Sequence, residues 1–363
     1  MSNIREIIGQ ELAQKGAISF ERFMELALYC PDFGYYERPG KPVGRGGDFY
    51  TSVSVGGLFG ELLAWQFAQW LQAPAGSSCH VLEAGAHDGR LSADILKWLR
   101  EQRPDIFHAV EYWLLEPSAN RREAQKKTLQ EFAAKVRWFE NWDALPPDGV
   151  RGIIFSNELL DAMPIRRVGW DAVRQKWFEW GVTLEGDKFA STRLPADEEL
   201  DLEIRSWSLP TELLRVLPDG FTTEFGAAAR KWWGRAAQSL KEGKLLTSDY
   251  GLEREDFFKP ERRDGTLRAY YRHHLETDLL ARPGEQDITA QVNFTSIAGA
   301  GEAAGLKTES FIPQAGFLMK IVEEACRKDP AHAEWISKQA GAFQTLTHPE
   351  HLGRAFRVLL QSR

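Results

Sequence analysis

The sequence predicts an α/β fold, a parallel sheet with helices on both faces. Three observations predict it. Short apolar runs alternate with helical patterns between Cys79 and Phe155, the first run passes through a glycine turn into a helix, and the second ends on an acid, Glu116. Parallel strands need helical crossovers, so this alternation selects the architecture over a sandwich or a bundle. A length of 363 residues suits two domains, or one core with large insertions.

The elements follow in order. Residues 4–30 carry helical periodicity: Ile4, Ile7, Ile8 and Leu12 share one face, and Phe20, Phe23, Met24, Ala27 and Leu28 follow the break at Gly16. Ser19 suits the N-cap of that second helix. Residues 31–48 are rich in Gly, Pro and Tyr, a loop composition, and Leu58 to Leu71 returns to helical spacing. Four strands are then expected at 79–85, 110–115, 136–139 and 152–155, with helices at 91–99 and 118–135. The rhythm breaks at Pro164. Arg167-Val168, Trp177 to Trp180 and Thr192 to Leu194 predict a small antiparallel insertion. Phe225 to Lys241 reads as helix and Lys244 to Gly251 as a fifth strand. Residues 252–290 read as a long Arg- and His-rich loop, and Phe294 to Gly305 as helix. Phe311-Ile312 and Ala355 to Leu360 read as a closing pair of strands.

Composition narrows the function classes. A net charge of −7 argues against a basic surface that grips nucleic acid. Three cysteines in wide spacing draw no disulfide framework, and eight histidines show no metal spacing, so no metal is predicted. No apolar run approaches the ~20 residues of a membrane span. The segment Met1 to Glu6 has no signal-peptide character, and a cytoplasmic protein is expected. Trp170, Trp177, Trp180, Trp207, Trp232 and Trp233 fall in or beside the insertion, which suggests an aromatic groove for a partner.

The most informative segment is Val81-Leu82-Glu83-Ala84-Gly85-Ala86-His87-Asp88-Gly89-Arg90-Leu91. Strand, glycine turn and helix start form a backbone cradle, in which small residues let a ligand approach the main chain. Glu116, ending the second strand, suits the vicinal hydroxyls of a ribose. Glu83, just before the turn, would repel a pyrophosphate but attract an ammonium. S-adenosylmethionine has an amino group, a sulfonium and a ribose without phosphate, so it is the favoured cofactor.

Further segments support this reading. They are Gly16-Ala17-Ile18-Ser19, Pro31-Asp32-Phe33-Gly34-Tyr35-Tyr36, Gly47-Asp48-Phe49-Tyr50-Thr51-Ser52 and Phe59-Gly60-Glu61. Later come Glu116-Pro117-Ser118, the run Asn157 to Pro164, Asp249-Tyr250-Gly251, Gly265-Thr266-Leu267-Arg268 and the run Gly284 to Phe294. By their number and order the chain resembles the MidA family of class I methyltransferases. That family is related to the mitochondrial complex I assembly factor that methylates arginine. The resemblance implies a Rossmann-like seven-stranded core at 76–163 and 241–363, an N-terminal helical lid over 1–75, and an insertion after the fourth strand at 164–240. Two positions depart from the family pattern. His87 stands where the turn usually has glycine, and Val53-Ser54 stand where Pro-Glu usually follows.

Methyl transfer from a sulfonium requires a positioned nucleophile and a group that manages its proton. Asn157, Glu158 and Asp161 lie just past the fourth strand. Two carboxylates there suit a cationic guanidinium, which supports the protein arginine acceptor that the resemblance implies. His273, beside His274 and Asp287 in the long loop, is a further catalytic candidate. Cofactor-binding candidates are Glu83, Gly85, Ala86, Gly89, Glu116, Pro117 and Asn157, with Asp48, Thr51 and Ser52 from the lid. Two other readings stay open: an assembly protein with weak or lost transfer, and a methyltransferase for a small molecule. A protein substrate is expected, no nucleic acid and no membrane insertion, and a homodimer is left open.

Overall fold

The computed structural model describes residues 3–38, 51–71, 79–272, 274–348, 352–353 and 355–363. Its contacts divide the chain into two compact units. One gathers residues 42–161, 230–251 and 296–363, and the other 1–41, 162–229 and 252–295.

The first unit is the sheet the alternation predicts. Seven strands of this eight-stranded sheet, β1 (Cys79–Ala84), β2 (Val110–Leu115), β3 (Val136–Phe139), β4 (Val150–Asn157), β5 (Leu240–Leu252), β6 (Lys307–Pro313) and β7 (Phe356–Ser362), lie in the order β3-β2-β1-β4-β5-β7-β6. The first five pair in parallel, and β7 runs antiparallel to both β5 and β6. Strands covered on both faces read as unbroken Val, Ile and Leu runs. Val81, Leu82, Leu114, Ile153, Ile154, Leu245 and Leu246 are accordingly all buried.

The helix Leu58–Trp70 is apolar nearly all round and sits in the same core cluster as Leu91, Ile95 and Leu96 of the helix Arg90–Gln102. Gly60 sets that approach, because a Cβ there would lie 2.6 Å from Asp94 Cβ. Three helices, Gln314–Lys328, His332–Lys338 and Ala340–Thr347, separate the last two strands. The periodicity reading passes over them.

The second unit holds the helices Ile4–Lys15 and Phe20–Tyr29, the latter capped by Ser19, whose side chain accepts from Arg22 N–H. It also holds an antiparallel sheet of Ile18–Ser19, Arg166–Asp171, Lys176–Glu185, Lys188–Pro195 and Thr222–Phe225. The expected 1–75 region is therefore not one piece. Ile18 pairs with Val182 and shares a core cluster with Phe23, Ile165, Ala269 and Ile288, whereas the helix at 58–70 belongs to the first unit.

Two further expectations are corrected. Phe225 ends a strand and the helix begins only at Ala227. Residues 252–290 are not simply a loop, since Arg268–Tyr271 pairs with both His274–Glu276 and Asp287–Thr289. Runs of three or four residues are too short for a two-residue period to register in the sequence. Of the six tryptophans in or beside the insertion, Trp170, Trp207 and Trp233 are buried and Trp177, Trp180 and Trp232 half-buried. Trp170 and Trp207 are buried, and Trp207 stacks on Phe225 at 4.1 Å, so they pack a core rather than line a groove.

Gly152 and Gly243 face each other across β4 and β5, at φ +136° and +119°. A Cβ on Gly152 would lie 2.3 Å from His80 O, and one on Gly243 1.9 Å from Gly152 O. Gly186, at φ +60°, has open space where a Cβ would go. Gly152→Ala is expected to lower the unfolding free energy in urea by about 2–4 kcal/mol, and Gly186→Ala by only about 1 kcal/mol. Equal losses would contradict this packing account.

Candidate functional site

The turn after β1 concentrates left-handed backbone: Gly85, His87 and Gly89 have φ of +72°, +49° and +86°. Gly89 N–H closes it on Ala86 O at 2.7 Å, and Gly89 is the N-cap of the helix that follows. In the first turn of that helix Arg90 N–H donates to Asp88 Oδ1 at 3.3 Å, and the positive end of the helix dipole lies at the glycine turn. A Cβ on Gly85 would lie 2.8 Å from Leu159 Cδ1, and one on Gly89 3.3 Å from Leu129 Cδ1, so both positions need glycine for space as well as for φ. His87 takes the left-handed conformation without being glycine. Its ring turns toward Asp88, with Nδ1 3.7 Å from Oδ1.

Beneath the turn, Glu83 is buried, and its Oε2 accepts from Ser92 Oγ and Tyr112 Oη, both at 2.6 Å. Burial pushes the carboxyl up to about 7, against the pull of those two hydroxyl donors. At the end of β2, Glu116 is likewise buried and oriented from two sides. Oε1 accepts from Ser118 N–H and Oε2 from Gln125 Nε2, both at 3.0 Å. Gln125 also donates to His87 O at 3.0 Å and accepts from Trp138 Nε1 at 3.1 Å. It thereby ties the glycine turn to Glu116. Pro117 O accepts from Arg122 Nη1 at 2.8 Å.

At the end of β4 the chain folds back over a buried acid from β5. Asp249 Oδ2 accepts from Leu159 N–H at 3.1 Å and Leu160 N–H at 2.8 Å, and Oδ1 from Tyr250 N–H at 2.8 Å. Burial lifts its carboxyl to about 7, opposed by backbone donors that include Asp161 N–H. Glu158 is held at φ +50°, a conformation disfavoured away from glycine and often kept at functional sites. Its Oε1 accepts from Asn157 Nδ2 at 3.0 Å and from Ser52 N–H at 3.2 Å. Asn157 Oδ1 is buried without a hydrogen-bond partner among the described residues. Asp161 is buried. Arg166, the first cation after these acids, makes bidentate pairs with Glu179 and Asp197 instead.

The structure brings Ser52, Asn157, Glu158 and Asp161 together with Gly85 in one unit, at the C-terminal ends of the parallel strands where ligands of such sheets bind. Thr51 and Ser54 cap each other, Thr51 N–H to Ser54 Oγ at 2.9 Å and Ser54 N–H to Thr51 Oγ1 at 3.1 Å, so Thr51 does turn chemistry. Asp48 and His273 lie outside the described residues. Asp287, in the second unit, accepts from Tyr36 Oη at 2.8 Å. Sequence reasoning missed Gln125 and the role of Asp249. An acid ending an apolar strand was the available signal for Asp249, whereas Gln125 is the one buried residue of an otherwise polar 119–128 helix and gave none. Among the described residues no group of His, Cys, Asp or Glu could hold a metal ion.

Comparison with known proteins agrees with this geometry. Residues 62–312 match a family described as "Putative S-adenosyl-L-methionine-dependent methyltransferase". The chain is 26% identical over 96% of its length to the mitochondrial protein arginine methyltransferase NDUFAF7 homolog of Drosophila melanogaster, covering 82% of that protein. It is 23% identical over 95% of its length to human protein arginine methyltransferase NDUFAF7, covering 80% of that protein. A COG1565 superfamily member from Burkholderia thailandensis, crystallised with S-adenosyl-homocysteine, superposes with a TM-score of 0.83 at 32% identity, over 99% of this chain and 92% of that one.

Glu83 has a pH consequence. Its folded value of about 7 exceeds the ordinary 4.5, so its contribution to stability is complete below about pH 4.5 and is lost as pH rises through about 7. The unfolding free energy of the cofactor-free protein is expected to fall from about pH 5 to about pH 8, and Glu83→Gln to flatten that fall. Urea titrations across that range check it, and an unchanged slope in the variant would contradict it.

Proposed function

This chain belongs to the S-adenosyl-L-methionine-dependent methyltransferases of the MidA family, and from that premise we propose that it transfers the methyl group to an arginine side chain of a protein. The carrying observation is the contact between Gly85 and Leu159, which sets the acid-bearing loop against the glycine turn.

The residues present fit the cofactor. Gly85, Ala86 and Gly89 open a main-chain approach at a helix N-terminus, and a larger side chain at Gly85 would strike Leu159. Glu116, already oriented by Ser118 and Gln125, would accept from the ribose hydroxyls, with Pro117 beside it. Glu83 supplies negative charge beneath the turn when ionised, which favours an ammonium above it. When bound, the cofactor supplies a methyl group on a sulfonium.

The remaining work falls to this chain's own side chains. Glu158 and Asp161 hold the guanidinium edges and fix which nitrogen faces the methyl. Asn157 Oδ1, buried and without a partner among the described residues, accepts an N–H that enters the site. An Asp161 carboxylate oxygen takes the proton that the alkylated nitrogen releases. The names of the NDUFAF7 relatives support arginine as the acceptor.

A second reading, an assembly protein that binds the cofactor with weak or lost transfer, is favoured by His87 in a left-handed position of the turn. It predicts binding without turnover, restored by His87→Gly.

Calorimetric titration with S-adenosylmethionine and tritium transfer to arginine-bearing peptides test the proposal. Glu116→Ala should weaken cofactor binding by about 1–3 kcal/mol. Asp161→Asn should bind cofactor normally and lose about a hundredfold in transfer rate. Full transfer by Asp161→Asn, or unchanged binding by Glu116→Ala, would remove those residues from these roles.

A further inference from the structure

Four segments of the first unit meet in a closed ring of hydrogen bonds. Ser52 Oγ donates to Gln314 Oε1 at 3.2 Å, and Ser248 Oγ donates to the same oxygen at 3.0 Å. Ser52 N–H donates to Glu158 Oε1 at 3.2 Å, and Glu158 N–H donates to Ser248 O at 3.0 Å, which closes the circuit. Gln314 Nε2 donates outside the ring to Leu346 O at 3.3 Å. Gln314 and Ser52 are both fully buried. One amide at the start of the 314–328 helix thus joins the segment before the 58–70 helix to the ends of β4 and β5.

We infer that Gln314 is a positioning residue for methyl transfer. It holds Glu158, and through Glu158 the Asn157 amide, in the orientation that meets the methyl acceptor. The inference rests on the reading of Asn157 and Glu158 as the acceptor-facing pair. Glu158 sits at φ +50°, a conformation disfavoured for a residue with a Cβ, so it stays there only while its neighbours hold it. Its carboxylate is gripped by the Ser52 N–H, and Ser52 is itself gripped by Gln314. A buried polar ring is secure while every member is satisfied, and loosens as a unit when one is removed. The apolar sheet beneath, with Phe155, Leu246 and Val358, does not depend on the amide. Loss of Gln314 therefore disturbs the geometry of Glu158 more than the fold.

The test compares Gln314→Met with Gln314→Glu in the full chain, with S-adenosylmethionine as the binding probe and an arginine-glycine peptide as the acceptor. A protonated carboxyl copies the amide, since its carbonyl accepts from both serines and its hydroxyl donates to Leu346 O. An ionised one has no donor for Leu346. Gln314→Met is expected to keep its cofactor affinity within about twofold and to lose about tenfold or more in kcat, with a smaller change in KM. Gln314→Glu is expected to share that loss at about pH 8 and to recover toward the wild type as pH falls to about 6.

Wild-type kcat in Gln314→Met, or an equal loss in both variants at every pH, would overturn the inference. Should the wild-type chain transfer nothing to the peptide, the arginine reading fails by itself, and hydrogen exchange then decides the ring. Amides of Glu158 and Leu159 exchanging about tenfold faster in Gln314→Met, with β1 unchanged, support it. Unchanged exchange at those amides overturns it.

Discussion

The site depends on one buried carboxylate. Asp249, at the end of β5, takes the N–H groups of Leu159, Leu160 and Tyr250, and so turns the chain leaving β4 back over the sheet edge. Without that anchor, those N–H groups would be left unsatisfied in a buried turn, a cost on the order of 1–3 kcal/mol for each. With it, Leu159 is pressed against Gly85, and the acids Glu158 and Asp161 flank that contact along the chain. The two halves of the proposed site, the glycine turn and the acidic loop, are therefore joined by a single backbone-to-carboxylate arrangement. Neither half has to be flexible to find the other.

Around this anchor, neutral side chains settle the finer geometry. Gln125 links Glu116 to the carbonyl of His87, and Gln314 links Ser52 to Ser248. An amide suits both places because it donates and accepts within a buried space and adds no charge to be desolvated. Two of the carboxyl groups kept inside, Glu83 and Asp249, are both displaced upward by burial and both surrounded by donors. They lie below or behind the site, so their titration bears on stability as much as on chemistry.

Much of the architecture was legible in the residues, for a physical reason. Strands covered on both faces must be apolar throughout, so Val81-Leu82, Tyr112 to Leu115 and Ile153 to Phe155 announce themselves without any partner in view. The glycines at 85 and 89 are equally legible, because left-handed backbone and tight neighbours leave few alternatives. The three-stranded sheet at 268–289 and the helices after Pro313 were not. Their segments are short or only partly apolar, and their conformation is settled by what they pack on. Gln125, Gln314 and the role of Asp249 were hidden more deeply. A polar residue becomes informative only when its burial and its partners are known, and those are properties of the tertiary fold. The expected N-terminal region failed for a related reason: a two-residue strand, Ile18–Ser19, pairs residues 18–19 with 181–182, and no local pattern reveals such a pairing.

In the proposed function, the C-terminal edge of the sheet joins a methyl donor to a guanidinium. The most direct measurement is a crystal structure of the chain with S-adenosyl-homocysteine and an arginine peptide. The account predicts ribose hydroxyls on Glu116, the sulfur turned toward the loop of Asn157 to Asp161, and the guanidinium between Glu158 and Asp161. A cofactor seated away from the 85–89 turn, or a peptide arginine that meets neither acid, would contradict it.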